Sequence, residues 1–193
     1  MVKFTGYKKI KTAVFISGTG SNLKSLIKFS KIIKSPISIN LIISNNPEAK
    51  GLKLGRINNI KKKVFNFKKK YKVENQILSI LKEHEIKMIC LAGFMIVLSK
   101  NFINKFRGKI LNIHPSLLPK YKGLNTHQRV LNNKEKYSGC TVHFVNSKLD
   151  SGKIILQKKV KISKNETKKS LAKKILVQEH KLYPKAILKT FNL

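Results

Sequence analysis

Short runs of apolar residues alternate along the chain with segments whose apolar residues recur every three or four positions. The short runs are typical of buried β-strands, and the recurring pattern is typical of helices with one buried face. Five runs are predicted strands: Lys11–Ser17, Ile37–Ile43, Val64–Phe67, Ile86–Ala92 and Lys109–His114. Helices are predicted between them, from Leu23 onwards, over Glu48–Asn59 and over Glu74–His84. This alternation predicts an α/β fold with a parallel, doubly wound sheet.

The last third of the chain departs from this alternation. A short helix is predicted over Thr126–Asn132, followed by two consecutive strands, Ser138–Val145 and Gly152–Ile162, that are joined by a short connection. A last helix is predicted over Thr167–Tyr183, and Pro184 is expected to end it. No linker or composition shift interrupts the 193 residues, so we expect a single domain over residues 1–193.

The strand predicted over Lys109–His114 ends in a stretch with two polar side chains and two prolines. Asn112 and His114 are two residues apart, so their side chains lie on the same face of the strand. Pro115 and Pro119 cannot continue a ladder of hydrogen bonds, so the chain must leave the sheet there. An amide and an imidazole at the carboxyl end of a strand can bind an oxyanion and move a proton. We interpret this stretch as part of an active site.

A glycine-rich turn lies between the first predicted strand and the first helix. It consists of Gly18, Thr19, Gly20, Ser21 and Asn22. Backbone N–H groups at such a helix N-terminus can bind a phosphate. A full dinucleotide-binding motif would have a third glycine and an acidic residue after the next strand, and this chain has neither. Taken alone, the turn fits phosphate binding and a plain strand-to-helix turn equally well.

Apolar residues continue past the end of the fourth predicted strand, from Gly93 to Leu98. Such a segment can pack into the core, or it can form the wall of a pocket for a flat heterocycle. The pattern alone leaves both readings open.

The chain is strongly basic, with 42 Lys and Arg against 8 Asp and Glu and a formal net charge of +34. Such a charge normally suggests a nucleic-acid partner. Arginine, which is favoured for phosphate contacts, occurs only at Arg56, Arg107 and Arg129, whereas lysine is spread throughout the chain. We therefore expect a solvated lysine surface and only incidental nucleic-acid binding. Asp150 is the only aspartate, which marks it as a candidate functional residue in the connection between two strands.

The remaining composition excludes several classes of protein. No apolar run reaches the roughly 20 residues of a membrane span, and the basic segment Met1–Lys11 leads into a glycine-rich turn and not into a cleavage site. Cys90 and Cys140 lack the spacing of metal ligands, so buried thiols and a cytoplasmic location are expected. The spacing of the histidines fits no common zinc pattern, so we expect no metal. Ser116 does not occupy a nucleophile elbow.

Several motifs together resemble the phosphoribosylglycinamide formyltransferase family. They are SGTGSNL at Ser17–Leu23, LAGFM at Leu91–Met95, ILNIHPSLLPKYKG at Ile110–Gly123, GCTVHFV at Gly139–Val145 and LDSGKIILQ at Leu149–Gln157. The resemblance implies a Rossmann-like formyltransferase fold with an antiparallel C-terminal extension. It also implies a phosphate-binding half over about residues 11–105 and a folate-binding and catalytic half over about 106–193. The implied activity transfers a formyl group from 10-formyltetrahydrofolate, as cosubstrate, to glycinamide ribonucleotide in purine biosynthesis.

The resemblance also implies roles for individual residues. Asn112, His114 and Asp150 match the catalytic trio. The glycinamide ribonucleotide site matches Gly18, Thr19, Gly20, Ser21, Asn22 and Glu179, and the folate site matches Leu91, Phe94, Met95, Ile96, Val97, Leu98, Asn112, His143 and Asp150. Two positions depart from the family pattern: Ile96 replaces an arginine of some relatives at the folate site, and Leu176 replaces a glutamine that contacts the phosphate.

Three alternative functions follow from the same residues. A methionyl-tRNA formyltransferase would suit the positive charge, but it normally has a further C-terminal domain that these 193 residues leave no room for. A formyltetrahydrofolate hydrolase usually has an additional N-terminal domain. A basic nucleic-acid-binding protein on an old enzyme fold is the third. We expect small-molecule substrates, no membrane contact, and a monomer or weak homodimer.

Overall fold

Seven β-strands form one sheet in residues 9–193, the part of the chain that the computed structural model describes. The strands are β1 (Ile10–Ile16), β2 (Ile37–Ser44), β3 (Lys61–Val64), β4 (Met88–Leu91), β5 (Lys109–His114), β6 (Tyr137–Phe144) and β7 (Ile154–Lys161). Their order in the sheet is β3-β2-β1-β4-β5-β6-β7. The first five run parallel, while β6 is antiparallel to β5 and β7 to β6. The predicted α/β fold class is confirmed. Residues 1–8, the start of the basic segment Met1–Lys11, lie outside the described residues.

Helices cover both faces of the sheet, so the residues of β1 alternate between two hydrophobic cores. Val14 and Ile16 pack in one core with α1 (Ser21–Ser30), while Ala13 and Phe15 pack in the other. The first core also contains residues of three further helices: α2 (Leu52–Ile57), α5 (Thr126–Asn132) and α6 (Lys168–Thr190). The second contains residues of α3 (Lys70–Glu83) and α4 (Lys100–Lys105). Both faces of β1 and β4 are therefore buried, as their near-continuous apolar runs predict.

The third strand was predicted over Val64–Phe67, and this prediction is wrong. The strand is Lys61–Val64, and all four of its residues are exposed because it forms the edge of the sheet. Lysines on an edge strand discourage pairing with another chain, so a lysine-rich strand is stable there. Phe65 and Phe67, which suggested the strand, instead pack against the second core.

The helix predicted over Glu48–Asn59 is shorter than expected, since α2 spans only Leu52–Ile57. The residues before it form turns: the Asn46 side chain accepts a hydrogen bond from the Glu48 backbone N–H at 2.9 Å, and Gly51 N–H donates to Gly18 O at 3.0 Å. An asparagine side chain commonly holds a turn in this way. The turn thereby connects the start of α2 to the glycine-rich loop. The sequence pattern does not predict α4, which carries only two apolar side chains.

The last helix was predicted to end at Tyr183, but α6 continues through Pro184 to Thr190. Leu182, Tyr183, Ala186 and Ile187 are all buried, so the apolar face of the helix extends beyond the proline. A proline inside a helix has no N–H to donate to the carbonyl four residues earlier. That carbonyl belongs to His180, and it accepts a hydrogen bond from Ser25 Oγ of α1 at 2.8 Å instead. The buried apolar face and the hydrogen bond from Ser25 allow the helix to continue through the proline.

Cys90 and Cys140 are free, buried thiols, as predicted. Burial raises the pKa of each thiol to about 12, so neither is a thiolate at neutral pH. Within residues 9–193, no helix has the length and apolar character needed to cross a membrane.

Ser25→Ala is expected to lower the free energy of unfolding by about 1 to 2 kcal/mol, because the His180 carbonyl would lose its partner. Urea unfolding measures this change. Ser79→Ala is the matched control: Ser79 Oγ also contacts a helix carbonyl, that of Asn75 at 3.2 Å, but at an exposed site. The gain in helix propensity is the same for both substitutions and cancels in the comparison. Equal effects of the two substitutions would contradict the role given to Ser25.

Candidate active site

The sheet opens a cleft where its strand order changes direction. Connections from β1 lead to β2 on one side, whereas β4 lies on the other side of β1 and leads on to β5. The connections that follow the carboxyl ends of β1 and β4 therefore run in opposite directions along the sheet. Ligands of open α/β sheets bind at such a point. A cleft of about 1130 Å³ lies there.

Every residue that the sequence predicts for the site lines this cleft. They are Gly18, Thr19, Gly20, Ser21, Asn22, Leu91, Phe94, Met95, Ile96, Val97, Leu98, Asn112, His114, His143, Asp150 and Glu179. Leu176, at the second position that departs from the family pattern, lines it as well. The cleft brings these residues together, while the role of each remains a prediction.

Asp150 lies at the centre of a cluster of polar side chains. Asn112 and His114 share one face of β5, and the antiparallel pairing of β5 with β6 sets His143 opposite Asn112. Asp150 Oδ1 accepts a hydrogen bond from Asn112 Nδ2 at 3.4 Å and lies 3.7 Å from His143 Nε2. Asp150 Oδ2 lies 3.4 Å from His114 Nδ1. The predicted trio is thus a contiguous cluster, to which the structure adds close contacts with His143.

The loop that carries Asp150 is fixed by its backbone. Asp150 has a left-handed φ of 45°, and its Oδ2 accepts a hydrogen bond from Gly123 N–H at 2.9 Å. Two residues on, Gly152 passes so close to the end of β6 that an added Cβ would lie 1.7 Å from Phe144 O. Only glycine fits at that crossing. The side chain of Asp150 is 8% exposed, so its carboxylate is held in a buried position within the cleft.

The pKa of Asp150 lies below its ordinary value. Burial raises this pKa, but other contacts lower it by more, chiefly the hydrogen bonds from the His143 imidazole and from the Gly123 N–H. The carboxylate is therefore ionised at neutral pH. It can act as a proton acceptor or stabilise a neighbouring cation.

The charge state of His114 is set mainly by burial. Burial lowers the pKa of the imidazole below 6.5 by more than the Tyr121 carbonyl and Asp150 raise it. The imidazole is therefore mostly neutral at pH 7. Its Nε2 lies 2.8 Å from Tyr121 O, a carbonyl that can only accept, so Nε2 carries the proton and Nδ1 faces Asp150 without one.

His143 is oriented by its backbone neighbour. Its Nδ1 lies 2.8 Å from Phe144 O and therefore donates to that carbonyl, while its Nε2 lies 3.2 Å from Asn112 Nδ2. Asn112 Nδ2 donates one hydrogen bond to Asp150 on this side of the cleft. Ser116 contacts none of these side chains: its buried Oγ donates to Lys120 O at 2.7 Å and lies 3.3 Å from Tyr121 O.

The glycine-rich loop is shaped by a close approach of two backbone segments. Gly20 precedes α1 with a left-handed φ of 75°, and a Cβ on it would lie 2.6 Å from Gly51 Cα. Both the conformation and the contact require glycine. The N-terminal N–H groups of α1, a helix of 10 residues, consequently face the cleft without a side-chain cap. This geometry suits an anion.

Asn22 and Glu179 form a buried polar pair beside this loop. Asn22 Nδ2 donates to Glu179 Oε2 at 2.7 Å, while Asn22 Oδ1 is buried without a partner. Burial raises the pKa of Glu179, and the Asn22 hydrogen bond offsets this only in part. A buried acceptor without a donor is unfavourable, so a ligand with hydroxyl or N–H groups would complete the pair.

Residues 93–98 form an apolar wall of the cleft. Phe94 packs edge-on against Phe15 and Phe67, with ring centroids 5.3 and 5.8 Å apart, so it is fixed to the second core. Met95 and Val97 are 62% and 54% exposed although they line the cleft. Exposed apolar side chains on a fixed wall favour binding of a flat apolar group.

The cleft also contains residues that the sequence did not indicate. Lys168, Lys169 and Lys173 line it from α6, and His127 lines it from α5. His127 Nδ1 is buried without a partner. The spacing of the predicted Glu179 on a helix could have identified Lys169, Ala172 and Leu176, which lie at intervals of three and four residues before it. No pattern in the sequence indicates His127.

Comparisons with known proteins agree with this geometry. Residues 10–187 match the family model described as formyl transferase. The chain is 41% identical over 180 residues to phosphoribosylglycinamide formyltransferase of Haemophilus influenzae, covering 92% of this chain and 85% of that protein. A crystal structure of phosphoribosylglycinamide formyltransferase from Brucella melitensis superposes with a TM-score of 0.89 at 42% identity, covering 95% of this chain and 96% of that one.

Other relatives are much longer than this chain. It is 42% identical over 183 residues to the human trifunctional purine biosynthetic protein adenosine-3, and the match covers 93% of this chain but 18% of that protein. The chain therefore spans about a fifth of the length of the human protein and most of the length of the Haemophilus influenzae protein. The family model covers nearly all of the sheet and the whole cleft, and on that ground the chain belongs to the formyl transferase family.

Proposed function

We propose that this protein transfers the formyl group of 10-formyltetrahydrofolate to the amine of glycinamide ribonucleotide, a step of purine biosynthesis. One observation carries the proposal: an anion-binding loop, an apolar wall and the Asn112–His114–Asp150 cluster all line a single cleft. The name of the Haemophilus influenzae relative, of which this chain covers 85%, supports the acceptor, and the match to the formyl transferase family model supports formyl transfer.

The nucleotide would bind at the glycine-rich loop. Its phosphate accepts from the N–H groups at the start of α1, and its ribose hydroxyls donate to Glu179 and to the unpaired Asn22 Oδ1. Lysines of α6 add positive charge on this side of the cleft. Leu176 contributes no hydrogen bond there, so the loop and the pair Asn22–Glu179 carry most of the recognition.

The formyl donor would place its pterin against Leu91 and residues 93–98. Met95 and Val97 lose exposed apolar area on binding, at about 25 cal/mol for each Å² covered. Ile96 offers no charge for the glutamate tail of the folate. Holding both substrates in attack geometry can be worth roughly 7–11 kcal/mol of the barrier.

The neutral state of His114 defines its part in the reaction. The amine attacks the formyl carbon, and the carbonyl oxygen becomes an oxyanion that accepts from Asn112 Nδ2. The attacking nitrogen then loses a proton to the basic pair of His114 Nδ1 and Asp150, directly or through water. The resulting imidazolium is stabilised by Asp150 and by the oxyanion. The same proton passes to the leaving folate nitrogen as its bond to carbon breaks, so the residues return to their starting state.

We further propose that the protein acts in the cytoplasm, as a monomer or weak homodimer, without a metal. Free Cys90 and Cys140 suit a reducing compartment. Nucleic acid would bind only through diffuse lysine charge, with an affinity that falls steeply as salt rises.

The purified protein is expected to form formylglycinamide ribonucleotide from the two substrates in the presence of a chelator. Product formation is measured by mass spectrometry. Parallel reactions supply initiator methionyl-tRNA as acceptor, or water alone, with the same donor. Turnover of the tRNA, or release of formate without transfer, would replace the proposed acceptor with that of a related enzyme.

Asp150→Asn should lower kcat about 10²- to 10⁴-fold, the usual contribution of a general acid–base group, because the amide cannot take up the proton. The affinity for glycinamide ribonucleotide, measured by calorimetry, should change little, since Asp150 lies outside the loop that binds the phosphate. Glu48→Gln removes the same charge at an exposed position and is the control. A parallel fall of kcat and affinity would reassign Asp150 to binding.

The imidazole of His114 is expected to titrate with a midpoint below pH 6.5 in the ligand-free protein, because burial favours the neutral ring. Asp150→Asn should move the midpoint lower still, since the carboxylate raises this pKa. Histidine NMR signals followed across the pH range measure both values. A midpoint above pH 7 in the unsubstituted protein would mean that the ring is mostly a cation at neutral pH before substrate binds.

A further inference from the structure

The stretch Tyr121–Gly123 contacts both members of the pair that handles the proton. Tyr121 O is the partner of His114 Nε2 at 2.8 Å, and Gly123 N–H donates to Asp150 Oδ2 at 2.9 Å. Three consecutive residues thus set the orientation of an imidazole and of a carboxylate. Any displacement of this stretch changes both at once.

The backbone of this stretch is irregular and is held by side chains outside the cleft. Tyr121 has a left-handed φ of 57°. Its phenol donates to Glu135 Oε1 at 2.8 Å, and the same oxygen accepts from Lys120 Nζ at 2.9 Å. Asn133 Nδ2 donates to the Tyr121 phenol at 2.9 Å. Glu135 therefore binds the side chains of two neighbouring residues in the loop.

Arg129 holds the other side of the loop. Its guanidinium lies over the Tyr121 ring, 5.4 Å from the centroid, and donates to Lys122 O at 2.6 Å. The Tyr121 side chain is thus enclosed between Arg129 and Glu135. Its backbone carbonyl has little freedom to turn away from His114.

Glu135 itself is remote from the substrates. It does not line the cleft, but lines a separate cavity of about 230 Å³ with Tyr121, Ser138 and Lys159. Its pKa is lowered by the hydrogen bonds from Lys120 and Tyr121, so it is ionised and accepts strongly. In a chain with 8 acidic residues, one of them is used to hold this loop.

We propose that Glu135 is a positioning residue for formyl transfer: by holding the Tyr121 phenol it fixes the Tyr121 carbonyl at His114 Nε2. That carbonyl can only accept, so the proton stays on Nε2 and Nδ1 is kept towards Asp150 for the incoming proton. The inference rests on the proposed function for its effect on rate. Its effect on the His114 tautomer does not depend on the substrates.

The experiment compares Glu135→Ala, Tyr121→Phe and the double variant. Each single change should lower kcat by about 10- to 100-fold, as expected for displacement of a reacting group, with both KM values within about twofold. The double variant should lose no more than the larger single loss, because the two residues act through one contact. Lys120→Met leaves the Tyr121–Glu135 bond in place and should keep nearly full kcat, as should Glu83→Gln, whose carboxylate is 70% exposed.

The tautomer of His114 is read separately, from imidazole ¹⁵N shifts of the ligand-free proteins. The unsubstituted protein should show the Nε2–H form, and Glu135→Ala and Tyr121→Phe should show a mixture of forms. Unchanged kcat in Glu135→Ala, additive losses in the double variant, or an unchanged tautomer would each overturn the proposal. If no variant and no unsubstituted protein transfers formyl groups, the proposed function fails, and the ¹⁵N shifts still decide the role of Glu135.

Discussion

The reversal of strand order between β1 and β4 is the constraint on which the site depends. Because both strands are buried on both faces, a ligand can reach them at their ends without disturbing a core. The glycine-rich loop follows β1 and the apolar wall follows β4, so the two lie side by side at the same edge of the sheet and both line the cleft. β5, the next strand, brings Asn112 and His114 alongside.

Several of the acidic residues in this basic chain hold other groups in place through hydrogen bonds. Glu74 is fully buried and accepts from the Ser99 N–H at 2.8 Å and from its hydroxyl at 2.5 Å, which fixes the far end of the apolar wall. Glu179 pairs with Asn22. Asp150 lies among an amide and two imidazoles, and its position is stable only because these partners and Gly123 N–H offset the loss of water. The lysine excess, by contrast, lies largely on exposed segments.

Much of the fold and of the cleft could be predicted from the sequence. β5 and α5 have the predicted bounds, since apolar spacing and flanking prolines or polar residues define them. β3 was misplaced because an edge strand needs no apolar residues, and its pairing with β2 is decided by the sheet as a whole. The length of α6 depends on contacts that only the tertiary structure provides. Local propensity predicts that Pro184 ends the helix, which is wrong, because propensity cannot foresee a hydroxyl from another helix.

The sequence predicts which residues meet in the cleft, but not their charge states. Motifs identify Asn112, His114 and Asp150, but the charge on His114 depends on the balance of burial against one carbonyl and one carboxylate. Tyr121 and Gly123 contact the cluster through a backbone carbonyl and a backbone N–H, which residues of any type carry. A sequence pattern reports side chains only, so it cannot indicate such contacts.

The bond between Ser25 and the His180 carbonyl has a geometric consequence for the nucleotide end of the cleft. It joins α1 and α6 at one defined level, a single turn away from the Asn22–Glu179 contact. Sliding one helix along the other by one residue, about 1.5 Å, would break both bonds together. The two bonds therefore hold α1 and α6 in one register, which keeps the Glu179 carboxylate at a constant distance from the glycine-rich loop at the start of α1.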